Sequence, residues 1–150
     1  MKRRFFLLLL FGSVLIGLPA QSNQLVDRML EDEGADVADA VYMVLLSGDV
    51  IEESASPGEA VNYARQQGWL PEEVTGDDTI TFGRFAFLIM QVHGERGGIM
   101  YSLIPSPRYA AREAVFKEWS LRSLPPGEEI SGETAVRVLG NYLATKGTEG

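Results

Sequence analysis

The chain has 150 residues and a formal net charge of −8, with 21 Asp and Glu against 13 Lys and Arg. An acidic surface repels nucleic-acid phosphates, so nucleic-acid binding is not expected. Because the chain has no cysteine, disulfides, thiolate metal sites and cysteine nucleophiles are excluded.

The first twenty residues have the pattern of a secretory signal peptide. Lys2 to Arg4 form a basic start, an apolar run extends from Phe5 to Leu18, and Ala20 offers a cleavage point before Gln21. The apolar run is shorter than the roughly 20 residues that span a bilayer, so cleavage is expected rather than a retained anchor. We therefore predict an exported protein of the periplasm or cell surface. Its mature formal charge is −11, because three cations leave with the signal peptide, and no transmembrane anchor remains after cleavage.

Five helices are predicted after the polar, acidic segment 21–34, which is expected to be flexible or to form a frayed entry helix. Ser56, Pro57 and Glu59 form a typical helix start with a capping box. The other helices are marked by apolar residues at three- and four-residue spacing; they begin near Asp36, after Thr81, at Pro107 and after Ser131. Strand patterns are nearly absent. The sequence therefore predicts an all-α fold with a single domain over residues 35–146 and a disordered tail at 147–150.

Two stretches of the sequence, residues 59–92 and 113–143, can be aligned as an internal repeat. Each opens with Glu-Ala-Val and passes through Leu-Pro and an acidic loop to Ile80-Thr81 or Ile130-Ser131, before a second apolar helix. The isoleucine has the position of a hydrophobic staple, and the threonine or serine after it has the position of a helix N-cap. In this alignment the copies differ by a four-residue loop. We interpret them as two helix-loop-helix units and residues 36–51 as half of a third, with duplication and coincidence both open.

The repeat resembles the S-layer homology (SLH) module, in which a helix and a glycine-containing loop lead to an Ile-Thr-Arg-Ala-Glu-like motif that opens a second helix. The motif is occupied here by residues 80–84 (Ile-Thr-Phe-Gly-Arg) and 130–134 (Ile-Ser-Gly-Glu-Thr), and the resemblance covers about half of the mature chain. It implies two SLH-like units and, as a function, binding of a cell-wall polymer. The motif arginine that holds wall polysaccharide in that family falls at Phe82 and Gly132, so both copies lack it. Arg84 lies two residues later.

The segment 96–112 combines glycines, apolar residues, arginines and tyrosines. Arginine and tyrosine are enriched where proteins contact ligands or partners. Together with Arg84, which lies two residues after the position of the motif arginine, they give the candidate binding residues: Arg84, Arg96, Tyr101, Arg108, Tyr109 and Arg112. The alternative is a short linking helix between the repeats whose arginines pair with local acids.

No catalytic or metal site is predicted, and no cofactor is expected. His93 is the only histidine, and no serine lies in a Gly-x-Ser-x-Gly turn. An EF-hand reading of the acidic loop before Phe85 places Arg84 where calcium needs a bidentate glutamate. We therefore predict a non-catalytic envelope protein, an SLH-like module that binds a cell-wall polymer or another envelope component. The alternative is a periplasmic scaffold or assembly partner that docks on another protein through residues 96–112.

Overall fold

The computed structural model describes residues 20–148, and this part of the chain contains seven helices and no strand. The helices are α1 (Ala20–Glu31), α2 (Val37–Ser47), α3 (Pro57–Gln66), α4 (Phe82–Val92), α5 (Ile99–Leu103), α6 (Pro107–Phe116) and α7 (Gly132–Thr148). The all-α prediction is confirmed. The predicted signal peptide, apart from Ala20, lies outside the described residues, as do the last two residues of the predicted tail.

The expected number of about five helices is wrong, because two further helices are present. The polar segment 21–34 contains α1, which buries Leu25 and Met29. The segment 96–112 contains the short α5 as well as most of α6. At the other end of the chain, α7 runs through Gly147 to Thr148, past the position at which the helix is expected to end.

The five expected helices begin where their capping residues predict. Ser56 Oγ accepts a hydrogen bond from Glu59 N (3.2 Å), and Glu59 Oε2 accepts one from Ser56 N (2.6 Å), which completes the capping box. Ser131 Oγ likewise accepts from Thr134 N (3.2 Å) at the start of α7. These side chains satisfy backbone donors that the first helical turn leaves without partners.

The six longer helices of residues 20–148 form three helix-loop-helix units, α1–α2, α3–α4 and α6–α7. The residue one position before the capping residue of each second helix lies in a ring at the centre of the fold. Ile80 N donates to Ala35 O (2.8 Å), Ile130 N donates to Ile80 O (3.1 Å), and Ala35 N donates to Ile130 O (2.8 Å). The ring closes, so each unit gives one hydrogen bond and receives one. All three residues are buried, where unpaired backbone groups would be costly.

The helices pack around this ring in an inner and an outer layer. The second helices of the units, α2, α4 and α7, contact one another and form the inner layer. Each outer helix packs on the inner helix of another unit: α3 on α2, α6 on α4, and α1 on α7. The half-unit expected at 36–51 is thus completed by α1, whose contact with α7 joins the two ends of the described chain.

The structural repeat has a different register from the one the sequence alignment suggests. Ser56 is the N-cap of α3 and Pro57 is its first residue, as Ser106 and Pro107 are for α6. The same separation of fifty positions relates Trp69 to Trp119 and Ile80 to Ile130, with no gap. The turns after both helices match in detail: Trp69 N donates to the carbonyl five residues earlier (2.9 Å), and Trp119 N does the same (2.8 Å).

The Glu-Ala-Val match does not relate equivalent positions. Glu59 lies in the first turn of α3, whereas Glu113 lies near the end of α6. The four-residue difference in loop length follows from that match and is absent from the structure.

Candidate functional site

A groove runs between the outer face of α6 and the loop that leads to α7. Its volume is about 780 Å³, and its lining consists of Arg108, Ala111, Arg112, Val115, Phe116, Ser123, Leu124, Pro125 and Pro126. None of these lining residues is acidic, although the chain carries 21 acidic residues. The groove therefore combines an apolar floor with two cationic groups.

Arg108 and Arg112 lie four residues apart on α6, so both side chains project from the same face of the helix. Both are exposed, and within residues 20–148 neither forms an ion pair. The Arg112 guanidinium carbon lies 5.8 Å from the centre of the Tyr109 ring, within the range of a cation–π contact. The structure thus brings together three of the six predicted site residues.

An arginine crosses the equivalent place in the α3–α4 unit. Arg65, the equivalent of Val115, crosses from α3 to the loop and donates to Val74 O (2.6 Å). Its Nε is also buried. In the α6–α7 unit, Val115 is too short to reach the carbonyl of Leu124, the equivalent of Val74. The two units therefore differ here in whether an arginine bridges the outer helix and the loop.

Tyr101 lies away from this groove and has a packing role. Its ring is buried edge-on to Phe87, with the ring centres 6.5 Å apart, and its hydroxyl oxygen accepts a hydrogen bond from Gln91 Nε2 (2.8 Å). Burial raises the pKa of Tyr101. Arg96 is exposed, and its carbonyl accepts a hydrogen bond from Lys117 Nζ (2.7 Å).

Arg84 is half-buried on α4, and its Nε has no hydrogen-bond partner among the described residues. It does not line the groove. The two positions that correspond to the SLH motif arginine are inside the protein: Phe82 is fully buried, and a side chain at Gly132 would overlap the backbone carbonyl of Met29. An arginine at either position could not reach a ligand.

A buried carboxylate that the sequence analysis missed joins the ends of three helices. The Glu95 side chain is 11 % exposed and pairs with Lys146 Nζ (2.5 Å) and Lys117 Nζ (3.2 Å); Tyr142 donates to it at 3.0 Å. Burial works to raise the pKa of Glu95, but the hydrogen bonds from Lys146, Lys117 and Tyr142 outweigh it and hold the pKa below its usual 4.5. Since these partners are distant in sequence, no local pattern could reveal them.

His93 lies against the same cluster. Its Nε2 is 3.1 Å from Ser47 Oγ, and its ring centre is 4.7 Å from that of Tyr142. Burial lowers the pKa of His93 below 6.5, which favours the neutral ring. With its hydroxyl partner and aromatic packing, His93 contributes to the contact between α2, α4 and α7.

Comparisons with known proteins give no match for this chain, whether with family models, curated proteins or solved structures. Across residues 20–148, no helix combines the length and the apolar character needed to cross a membrane. The same residues contain no group of three His, Asp or Glu side chains placed to hold a metal ion.

Proposed function

We propose that this protein is a non-catalytic, exported module of the bacterial envelope that binds an anionic cell-wall polymer in the groove on α6. The observation that carries the proposal is the acid-free groove in an acidic protein, with Arg108 and Arg112 exposed along one side. Neither arginine is neutralised by an ion pair within residues 20–148. An electropositive groove of this kind concentrates anionic ligands by long-range attraction.

The groove chemistry suits a polymer that alternates charged groups with apolar faces. A guanidinium presents a planar set of donors that matches a carboxylate or a phosphate. The floor formed by Ala111, Leu124 and Pro126 is apolar and can receive the less polar face of a sugar or a lactyl methyl group. Phe116, 84 % exposed at the edge of the groove, offers a ring face for the same purpose.

The three-unit arrangement supports an SLH-like interpretation of the fold, since each unit has a helix and a loop that lead to a capped second helix. In this proposal the cationic contact with the polymer is made by the arginines of an outer helix rather than by the motif arginine, whose positions are buried. Wall binding by this chain is therefore expected to depend on Arg108 and Arg112 and to be insensitive to the motif residues.

The test is co-sedimentation of the chain from Gln21 with isolated cell-wall sacculi at low and high salt. The Arg108→Ala/Arg112→Ala variant is compared with Arg122→Ala/Arg137→Ala, which removes the same charge outside the groove. We expect saturable binding that weakens with salt, a loss of at least tenfold in affinity for the groove variant, and little change for the control. Equal losses would indicate attraction by net charge alone, and the absence of binding in either salt would refute the proposal.

The proposed export has its own test. Expression of the full chain in a bacterium, followed by cell fractionation and N-terminal sequencing, is expected to yield a mature protein that begins at Gln21 and lies outside the cytoplasm. A full-length product that remains in the cytoplasm would contradict this part of the proposal.

A further inference from the structure

Four large apolar side chains are exposed together on and beside the short helix α5. They are Ile99, Met100, Leu103 and Ile104, which we call the apolar tip. Ile99 is 80 % exposed and Leu103 is 71 % exposed. Burial of such side chains is strongly favoured in water, so a contiguous exposed group of this size indicates a surface that meets something apolar.

The backbone that carries the apolar tip is fixed to the rest of the protein. The inward side chain of α5, Tyr101, is held by Gln91, as described above. Gly98 N donates to Glu113 Oε1 (2.8 Å), and Ser102 Oγ donates to Gly97 O (3.2 Å). A side chain at Gly97 would approach the Tyr101 Cβ to 2.6 Å, so the close packing here requires glycine. The outward direction of the tip is therefore imposed by the fold and is not the result of a loose loop.

The surroundings of the tip are basic. Residues 96–112 include three arginines and no Asp or Glu, in a chain that is acidic overall. Of the two acids that border this segment, Glu95 pairs with two lysines, and Glu113 accepts a hydrogen bond from Gly98 N at the base of the tip. Because salt limits electrostatic effects to about 8 Å at physiological ionic strength, a surface that touches the tip experiences the charges near the tip more than the acids elsewhere on the chain.

From these observations we propose that the apolar tip inserts into the surface of an anionic membrane, with the exposed Arg96 next to the tip in the sequence to meet the lipid phosphates. Aliphatic side chains on a short projecting element, flanked by arginines and devoid of acids, have the composition of an interfacial anchor. Several inserted side chains together with a cationic flank supply the two kinds of attraction that stable peripheral attachment needs. The attachment is peripheral, and it would hold the α6 groove close to a bilayer.

This inference does not depend on the proposed function, because it concerns the tip and not the groove. The experiment is flotation of the chain from Gln21 with vesicles of phosphatidylglycerol and phosphatidylcholine, compared with vesicles of phosphatidylcholine alone. We expect binding to the anionic vesicles that is at least tenfold weaker in Ile99→Ser/Leu103→Ser. The matched control, Leu30→Ser/Leu143→Ser, removes two exposed leucines from α1 and α7 and is expected to bind as the original chain does.

A second measurement keeps the inference testable if the tip variant folds poorly. Leu103→Trp places a third tryptophan on the tip, beside the native Trp69 and Trp119. Relative to the original chain, its emission is expected to shift to shorter wavelength with anionic vesicles and to remain unchanged with neutral ones. Equal binding to both vesicle types, retention of binding by the tip variant, or the absence of vesicle binding would overturn the inference. If the chain bound no vesicles but formed a protein complex that requires the tip, that result would also overturn the inference and would assign the tip to a protein partner.

Discussion

Gly83 lies at a close contact between the α3–α4 unit and the α6–α7 unit. It is the second residue of α4, and its backbone N donates to Pro126 O (2.9 Å). A Cβ built at Gly83 would lie 2.8 Å from Pro107 O and 2.8 Å from Pro126 O. Both neighbours are backbone atoms, so an alanine cannot be accommodated by rotation of a side chain. The variant Gly83→Ala must move α6 or the loop before α7.

The expected cost follows from three contributions. Overpacking of a tight contact costs about 1–3 kcal/mol, and weakening of the hydrogen bond between the backbones of Gly83 and Pro126 adds about 1 kcal/mol. The higher helix propensity of alanine returns at most about 1 kcal/mol. Gly83→Ala should therefore lose about 2 kcal/mol of unfolding free energy, which corresponds to a fall in Tm of roughly 6 °C for a chain of this size.

The assay is urea unfolding followed by circular dichroism, with Gly140→Ala as the matched control. Gly140 lies in the interior of α7, and no atom lies within 4 Å of a Cβ built there. That variant should gain up to about 1 kcal/mol from helix propensity alone. If Gly83→Ala were as stable as Gly140→Ala, the close approach of the two units described here would be wrong.

Three further predictions concern the helix caps and the buried titratable groups. Ser56→Ala should lower the free energy of unfolding, measured in urea, by about 1 kcal/mol. Ser106→Ala should change it little, because Ser106 makes no side-chain cap hydrogen bond. Equal losses in the two variants would contradict the assigned capping box. Burial lowers the pKa of His93 below 6.5, so His93 takes up a proton more readily in the unfolded chain than in the folded one. The free energy of unfolding should therefore fall as the pH drops through 6.5. His93→Gln should reduce this dependence of the unfolding free energy on pH between pH 7 and 5.5. The pKa of Glu95 is held below 4.5, so its contribution is present above pH 4.5 and is lost as the pH falls through the folded-state pKa. Glu95→Gln should therefore lower the free energy of unfolding at pH 7 and reduce the further loss of stability below pH 4.5. If the variant lost as much stability in acid as the original chain does, the assigned role of Glu95 would be refuted.

Local sequence signals predicted the helices that have strong caps and an apolar face. The starts of α3 and α7 follow from Ser56 and Ser131, whose side chains bond to the backbone of the next turn. The helices α1 and α5 were expected only as a frayed entry helix and as an alternative linking helix, and they were not counted among the five. Helix α1 is polar overall, and its buried Leu25 and Met29 belong to a helix that packs on α7 at the far end of the chain. In α5, the apolar side chains point outward, which reverses the usual pattern of a surface helix.

The repeat shows how a local match can mislead. Glu-Ala-Val is a common helical sequence, and its two copies have no common place in the structure. The structural register is carried by isolated residues with specific geometric roles, namely Trp69 and Trp119 at the turns and Ile80 and Ile130 in the central ring. The closure of this ring through Ala35 depends on contacts between distant units, so no single window of sequence contains it.

The candidate site was predicted in part. Arg108, Tyr109 and Arg112 were identified by composition and lie together on α6. The groove beside them could not be predicted, because its lining combines α6 with the loop at residues 123–126, and these parts come together only in the folded chain. The pairing of Glu95 with lysines from α7 and from the end of α6 is likewise a product of tertiary packing.

The variant Val115→Arg separates recognition in the groove from attraction by net charge, because it places in the groove the arginine that bridges the helix and the loop in the α3–α4 unit. The introduced guanidinium is expected to reach Leu124 O, as Arg65 reaches Val74 O at 2.6 Å, and to fill the groove without unfolding the protein. Attraction by charge alone predicts that the added cation strengthens binding to sacculi. Recognition in the groove predicts the opposite, a loss of at least tenfold in affinity in the co-sedimentation assay. Binding that is unchanged or stronger in Val115→Arg would contradict the assignment of the groove as the polymer site.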